Sequence, residues 1–472
     1  MSTLNQPNES APVLSARVFW ILFTLIALVG TSIRVTDSAA WRRTGPDELM
    51  YRRYVNMMDG YEGTVGVFPS DARTARTGSG GLVAYTAKIQ NTGAMAMPEM
   101  ADFYIETQKN PDVLCELPPT RFLYIYTSWL WKRVQFGDAP PLAPALVGKP
   151  GIGDSYSKDA DHTDPALASL HRVAAFFSIL LMITGGLCAW RIVGRGAGLA
   201  VLALMACDPV QIHLSQHAMI DGFFAFWAAA ALWTTWECLK NPTSRGWLAA
   251  HTVILALMVL TKENAFFVYC ALGVVVVANR WLHFGTVTPR FLVCSFVGGA
   301  LGFLTLVTLA GGFGNFLTIY QSLVGKAQEL AYAQNTGDGP WYRYLLDLMT
   351  VSPIVLVLAL GALFSLAPQR REIAFLALFV AGSYLIMCNV KFGMNLRYAS
   401  IWELPLRTAA FAMLWQMCSR LGRWQWIAAT VLIAALCAYE FRQYSIFATD
   451  PARPLYELVP SQMLRLINVI KG

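Results

Sequence analysis

Long apolar runs alternate with short polar connections along most of the chain, near residues 18–34, 168–190, 197–213, 222–239, 247–261, 265–280, 291–312, 350–367, 372–388, 402–418 and 424–440. Each approaches the ~20 residues a helix needs to cross a bilayer. The pattern predicts an all-α polytopic membrane protein with about eleven transmembrane helices. The polar remainder is an N-terminal stretch 1–16, a long segment 35–167 after the first run, and a tail 441–472. The chain thus divides into a membrane domain over 1–440, with 35–167 as its large first loop, and a C-terminal tail. The first run, bracketed by Arg17 and Arg34, could pass for a signal peptide; the many runs behind it favour an uncleaved signal anchor.

The stretch "RFLYIYTSWLWKRVQF", residues 121–136, decides the topology. It is aromatic but short, and counting it as a span would reverse every later segment. Basic residues settle the choice, because short cytoplasmic connections carry an excess of Lys and Arg. With 121–136 not crossing and the N-terminus cytoplasmic, the five short inner connections each hold two basic residues: Arg191 and Arg195, Lys240 and Arg245, Arg280 and Arg290, Arg370 and Arg371, Arg420 and Arg423. The outer connections near 214–221 and 262–264 hold none and one, and the longer 313–349 and 389–401 hold two each. Residues 121–136 then form an interfacial helix on the outer face, where Tyr124, Trp129 and Trp131 suit the headgroup layer. The large loop and the C-terminal tail share that side.

Composition agrees with a chain embedded in lipid. It has 472 residues, 56% hydrophobic and only 14% charged, whereas soluble domains carry roughly 25% charged residues. A net charge of +7 would suggest nucleic acid in a soluble chain. Here the charge sits between apolar runs and serves orientation, so membrane lipids, not nucleic acid, are the expected surroundings. Of nine cysteines only Cys115 lies in a polar region, and no CxxC or Cys/His spacing suggests a disulfide framework or zinc.

Ionisable residues at the ends of lipid-embedded helices are functional candidates. On the outer side these are Asp208, His213, His217 and Asp221 around "CDPVQIHLSQHAMID", Lys262 and Glu263 in "LTKENAFF", and Lys391, Arg397, Glu403 and Arg407 before the tenth run; the large outer loop adds Asp47 and Glu48 in "GPDELMYRRY" and Glu116 and Arg121 in "CELPPTRFLY". Each has a plain reading: Lys262 and Arg407 could snorkel, Glu403 and Arg407 could be an ordinary i, i+4 ion pair, and Asp47 and Glu48 a solvated loop. His213, His217 and Asp221, at i, i+4 and i+8, could ligate a metal on a continuous helix, although the segment crosses a connection after Pro209. As a set they suit attack by a hydroxyl on a carbon that bears a phosphate leaving group. The hydroxyl needs a carboxylate base, and the departing phosphate needs fixed positive charge.

These motifs resemble those of the GT-C membrane glycosyltransferases that take a sugar from a polyprenyl phosphate, in particular the protein O-mannosyltransferase and aminoarabinose-transferase group. Asp47, Glu48 and Tyr51 match the acidic pair and following Tyr after helix 1, and Glu116, Pro118 and Pro119 match the acid-x-Pro-Pro element. Arg172 and Gly185 match the second helix, Pro209, His217 and Asp221 the Pro-basic-Asp element, Lys262 and Glu263 the Lys-Glu pair, and Arg397 and Tyr398 the late Arg-Tyr. Leu117 stands where aminoarabinose transferases have Lys, and His217 where Arg is frequent; Arg121 is the candidate substitute for the first of these missing cations.

The resemblance implies an inverting glycosyltransferase with a polyprenyl-phosphate-linked sugar donor and a hydroxyl acceptor on protein, lipid or polysaccharide. Asp47 is the expected general base with Glu48 beside it, their roles interchangeable at this level. Lys262, Arg397 and Arg121 would hold the donor phosphate, while Glu116, His217, Asp221, Tyr51 and Tyr398 would line the sugar or acceptor pocket. No cofactor is expected, since protein cations can neutralise the phosphate without a metal. The location implied is a bacterial inner membrane with the site facing the periplasm; an endoplasmic reticulum enzyme would have the same topology. A transporter or lipid flippase, and a non-catalytic partner that keeps the fold, are the alternatives. Against transport, the charges lie at helix ends, whereas transporter sites sit mid-membrane.

Overall fold

A computed structural model describes residues 15–36, 46–62, 90–91, 93–109, 117–141, 164–328, 337–364, 371–391 and 393–448. Glu116, Cys115, the acidic segment 151–163 and the tail beyond 448 lie outside the described residues. The elements in chain order are α1 (Ala16–Val35), α2 (Pro46–Met58), a two-residue hairpin pair β1 (Tyr61–Glu62) and β2 (Gln90–Asn91), α3 (Met97–Lys109) and α4 (Phe122–Phe136). Then come α5 (Pro165–Ile192), α6 (Arg195–Ala206), α7 (Pro209–Gln216), α8 (Ile220–Lys240), α9 (Arg245–Val259), α10 (Ala265–Leu282), α11 (Pro289–Leu309) and α12 (Phe313–Ala327). The chain continues through α13 (Arg343–Val351), α14 (Pro353–Phe364), α15 (Arg371–Met387), a 3-10 helix Leu396–Trp402, α16 (Glu403–Cys418), a second 3-10 turn Ser419–Trp424, and α17 (Gln425–Ala448).

Every apolar run folds as helix, and the chain is an integral membrane protein of all-α architecture. Among the described residues five helical stretches are long and apolar enough to cross a membrane alone: α1, α5, α10, α11 and the run Leu396–Ile446; the bent pair α6–α7 makes a sixth. Length and composition among the described residues do not confirm all eleven expected crossings. The run 247–261 yields only fifteen helical residues in α9, and 350–367 is broken between α13 and α14 at Ser352. The run 197–213 is likewise two helices, α6 and α7, bent by 53°.

Local sequence explains these ends. Asp164, Asp208 and Thr288 each precede a proline and cap α5, α7 and α11 through their side chains. A proline at the first helical position loses no intrahelical hydrogen bond, and the side-chain cap satisfies amides that would otherwise be orphaned. Small residues let α9 and α11 meet closely: a Cβ on Gly298 would lie 2.6 Å from the Thr252 carbonyl oxygen, and one on Gly302 2.6 Å from that of Ala256. The four-residue spacing of these glycines puts both on one face of α11, the small-xxx-small pattern of close membrane-helix pairs.

Segment 121–136 is one helix, α4, whose fifteen residues rise about 22 Å against the ~30 Å of a hydrocarbon core. It packs across α2 and α5. Tyr51, Tyr54, Val55 and Met57 of α2 join Met97, Met100, Tyr124, Ile125, Leu170, Val173 and Phe223 in a second apolar core beside the bundle. This core fixes the part of the first loop that carries the acidic pair.

Candidate active site

Four separate connections converge at one end of the bundle. Helix α2 is held there on all sides. The Tyr54 hydroxyl donates to the Leu117 carbonyl at 2.8 Å, and Arg52 pairs with Asp164 at 2.6 Å. Asp59, just past the helix, accepts from Trp129 Nε1 at 2.7 Å and also from Lys132. The first turn of α2 then presents Asp47 and Glu48, where carboxylates suit the positive end of the helix dipole. Adjacent residues point about 100° apart on a helix, so the two acids face different surroundings.

Glu48 turns inward and is fully buried. Its Oε1 lies 3.0 Å from His217 Nδ1 and accepts the Ala218 amide at 2.9 Å. Burial pushes its pKa up, but the His217 hydrogen bond and charge, the charge of His171 and the Ala218 amide outweigh that and leave it below the ordinary carboxylate value. Asp47 turns toward Arg397, whose Nη1 donates to Oδ2 at 2.7 Å, and its side chain stays 26% exposed. Arg397 also approaches Asp221 at 3.7 Å, and Lys262 Nζ donates to the other Asp221 oxygen at 2.5 Å. The Lys262 ammonium sits 4.0 Å from the centre of the Tyr398 ring. Asp47, Arg397, Asp221 and Lys262 thus form one continuous line of alternating charge.

Hydrogen bonds anchor the segments that carry Arg397 and Lys262. The 3-10 helix bearing Arg397 starts at Asn395, whose side chain accepts the Arg397 amide at 3.0 Å. Its far end is anchored by Trp402 Nε1 on Ser383 Oγ at 2.7 Å. The turn bearing Lys262 is tied to α4 by the Leu123 amide on the Leu260 carbonyl at 3.0 Å.

Arg121 occupies a neighbouring position. Its guanidinium grips Glu263 through Nη2 at 2.5 Å and Nε at 3.3 Å, and donates to the Tyr51 hydroxyl at 2.6 Å. Burial lowers the Arg121 pKa, and the Glu263 and Tyr51 partners more than restore it, so the group is held above its ordinary value. Glu263 is depressed despite burial, by the charges of Arg121 and Lys262. This fork joins α4, α2 and the α9–α10 turn, and its donors are already engaged.

The structure therefore brings together Asp47, Glu48, Tyr51, Arg121, His217, Asp221, Lys262, Arg397 and Tyr398; Glu116 is not described. Lys262 does not snorkel to a surface, for it is buried against Asp221. The His213–His217–Asp221 spacing does not lie on one helix, because α7 ends at Gln216 and α8 begins at Ile220. His217 and Asp221 face Glu48 and Lys262 respectively. Glu263 is the contact whose task was not legible from the motif: a second acid beside Lys262 gives no clue that its partner lies 142 positions away.

With the geometry in hand, three resemblances to known proteins stand out. A family model for dolichyl-phosphate-mannose-protein mannosyltransferase matches residues 140–305, about a third of the chain, which includes His217, Asp221 and Lys262. The structure of ArnT from Cupriavidus metallidurans bound to undecaprenyl phosphate superposes with a TM-score of 0.51 at 14% identity, over 96% of this chain and 69% of that one. The Archaeoglobus fulgidus oligosaccharyltransferase in its apo form superposes with a TM-score of 0.53 at 11% identity, over 93% of this chain but only 57% of that one. The chain has the GT-C glycosyltransferase fold. No curated protein sequence matches it. At these identities the GT-C likeness is one of architecture, and residue roles rest on the site itself.

Proposed function

We propose that the protein is an inverting glycosyltransferase that moves a sugar from a polyprenyl-phosphate donor to an acceptor hydroxyl at the outer face of the membrane, in bacteria the periplasmic face. One observation carries this reading: a partly open carboxylate, Asp47, sits against a buried pair of cations, Arg397 and Lys262, that share Asp221. The acceptor oxygen attacks the anomeric carbon on the side opposite the phosphate. The bond from that carbon to the phosphate oxygen breaks, its electron pair leaves with the phosphate, and Asp47 takes the acceptor's proton. Arg397 and Lys262 meet the charge that grows on the departing phosphate. The GT-C fold, the mannosyltransferase model match and the undecaprenyl phosphate bound by the ArnT neighbour support this donor class.

The two acids separate in this scheme. Glu48, fully buried and engaged by His217 and Ala218, orients the 217–221 turn, which leaves Asp47 as the base. Asp47 and the donor phosphate compete for the Arg397 guanidinium, so donor binding releases the carboxylate toward the acceptor. Tyr398, His217 and Tyr51 line the pocket around the sugar, and Arg121 braces the α9–α10 turn through Glu263. No metal is required, since two cations face the phosphate. The test is transfer of radiolabel from a polyprenyl-phosphate sugar to membrane acceptors by the purified protein in liposomes. A labelled product establishes a transferase. Label that merely crosses the bilayer, or stays on the donor, would replace this reading with a flippase or a non-catalytic partner. Activity lost on chelation and restored by a divalent ion would overturn metal independence.

A further inference from the structure

Behind the site lies a second charged cluster that the transfer chemistry does not use. Arg407 is fully buried and reaches Asp208 at 3.2 Å, Glu440 at 3.0 Å and Glu403. Ser352 Oγ donates to Glu440 at 2.7 Å. Arg34 joins from α1, donating to the carbonyls of Met205 at 2.7 Å and Ala206 at 3.1 Å at the break between α6 and α7. Asp208 is the cap of α7, its Oδ1 accepting the Val210 and Gln211 amides at 2.9 and 3.1 Å.

The far end of α7 is held too. Its last residue, Gln216, accepts the Tyr444 hydroxyl on its side chain, and its main-chain carbonyl lies 3.0 Å from His171 Nδ1. Tyr444 and Glu440 are four residues apart on α17, hence on one face. One face of α17 therefore meets α7 at both ends, directly through Tyr444 and, from Glu440, by way of the Arg407 guanidinium on Asp208. Directly after Gln216 come His217 and Ala218, which hold Glu48, and Met219, whose sulfur contacts Arg397 at 3.8 Å. Two residues further is Asp221, which holds Lys262.

We infer that α17 sets the register of the 217–221 turn through α7, which makes Tyr444 a positioning residue for the donor cations and for Glu48; as a statement about catalysis this rests on the transfer reading above. A buried charge cluster retained only to cement helices would act on unfolding alone. A positioning contact acts on the turn.

The experiment compares Tyr444→Phe, Glu48→Gln and the double variant in the full chain. Tyr444→Phe removes one hydroxyl from a packed ring, so the melting temperature should hold within about 2 °C. Amide exchange at Ala218 and Met219 should rise, and kcat should fall about ten- to a hundredfold, as for a displaced catalytic group. In the Glu48→Gln background, where the turn has already lost an anchor, the same change should cost less than about threefold. Gln216→Leu breaks the contact from the other side and should reproduce the exchange result. Unchanged exchange at 218–219 in Tyr444→Phe, or losses that simply multiply in the double variant, would overturn the inference. Exchange is read whether or not sugar is transferred, so an inert wild-type protein would sink the reading of the site and still decide whether this contact holds the turn.

Discussion

Two clusters of arginine and acid lie close together in this fold, and they differ in what they leave open. Around Arg407, the side chains of Asp208, Glu403 and Glu440 are nearly sealed from solvent, as is the guanidinium itself. Around Arg397, Asp47 keeps 26% of its side chain exposed and His217 15%. In the first cluster three acids share one guanidinium, and all of them come from helices packed in the bundle. The second is assembled from four connections at one end, with one of its acids, Asp47, partly open to solvent. Buried charge marks both regions as candidates. Access separates the two, and under the proposed transfer only the open one meets the substrate.

The sharpest way to break this comparison is to remove the open carboxylate. Asp47→Asn should lower transfer about a thousandfold, the scale of a lost general base, with undecaprenyl phosphate bound at least as tightly because one competitor for Arg397 is gone. Equilibrium binding of the lipid and single-turnover transfer check both halves; near-normal turnover removes Asp47 from the mechanism. Next in size, Arg397→Ala and Lys262→Ala should each cost about a hundredfold in transfer, comparable with deleting one donor to a developing oxyanion, and both should weaken lipid binding. Equal binding in these variants would mean the phosphate lies elsewhere.

The sealed cluster should respond in stability. Arg407→Leu strands three acids in the bundle, which should cost about 3–5 kcal/mol of stability, read as a large fall in melting temperature in detergent. An Arg407→Leu protein that unfolds like wild type would erase the distinction between the two clusters.

Much of the open site was legible in the chain, and for a physical reason. Lys262 and Arg397 stand near the ends of apolar runs, where charge is costly unless it has work to do, and Asp47 in the loop after the first run, so run boundaries and basic-residue counts alone gather them on one side. The sealed cluster was less legible. Glu403 and Arg407 suggest only a local pair at i, i+4, and Glu440 closes an apolar run as if it were an interfacial residue. Arg34 looked like the flank of the first span, yet it turns back to cap α6. Those contacts depend on the bend between α6 and α7. Pro209 and the Asp208 cap allow that bend, but hydropathy runs straight through it. The count of eleven spans is not confirmed among the described residues for a related reason: α8 is long but carries Asp221, Glu237 and Lys240, and α9 and α14 are apolar but short.

The smallest expected effect concerns acid, and it tests whether Glu48 is a fastener rather than a second base. Burial alone would favour neutral Glu48, yet His217, His171 and the Ala218 amide together hold its pKa below the ordinary value of 4.5. A carboxylate depressed on folding contributes stability that is fully present above its unfolded value and is lost as pH falls through its folded one. The part of the α2 docking that comes from the Glu48 ionisation should therefore be complete above about 4.5 and be lost only below it. Glu48→Gln removes the ionisation, so the gap in melting temperature between wild type and variant, about 2–4 °C, should stay constant above that pH and close beneath it. A gap that persists unchanged into stronger acid would mean the Glu48 charge does not hold the turn, and the case for Asp47 as the sole base would lose its structural half.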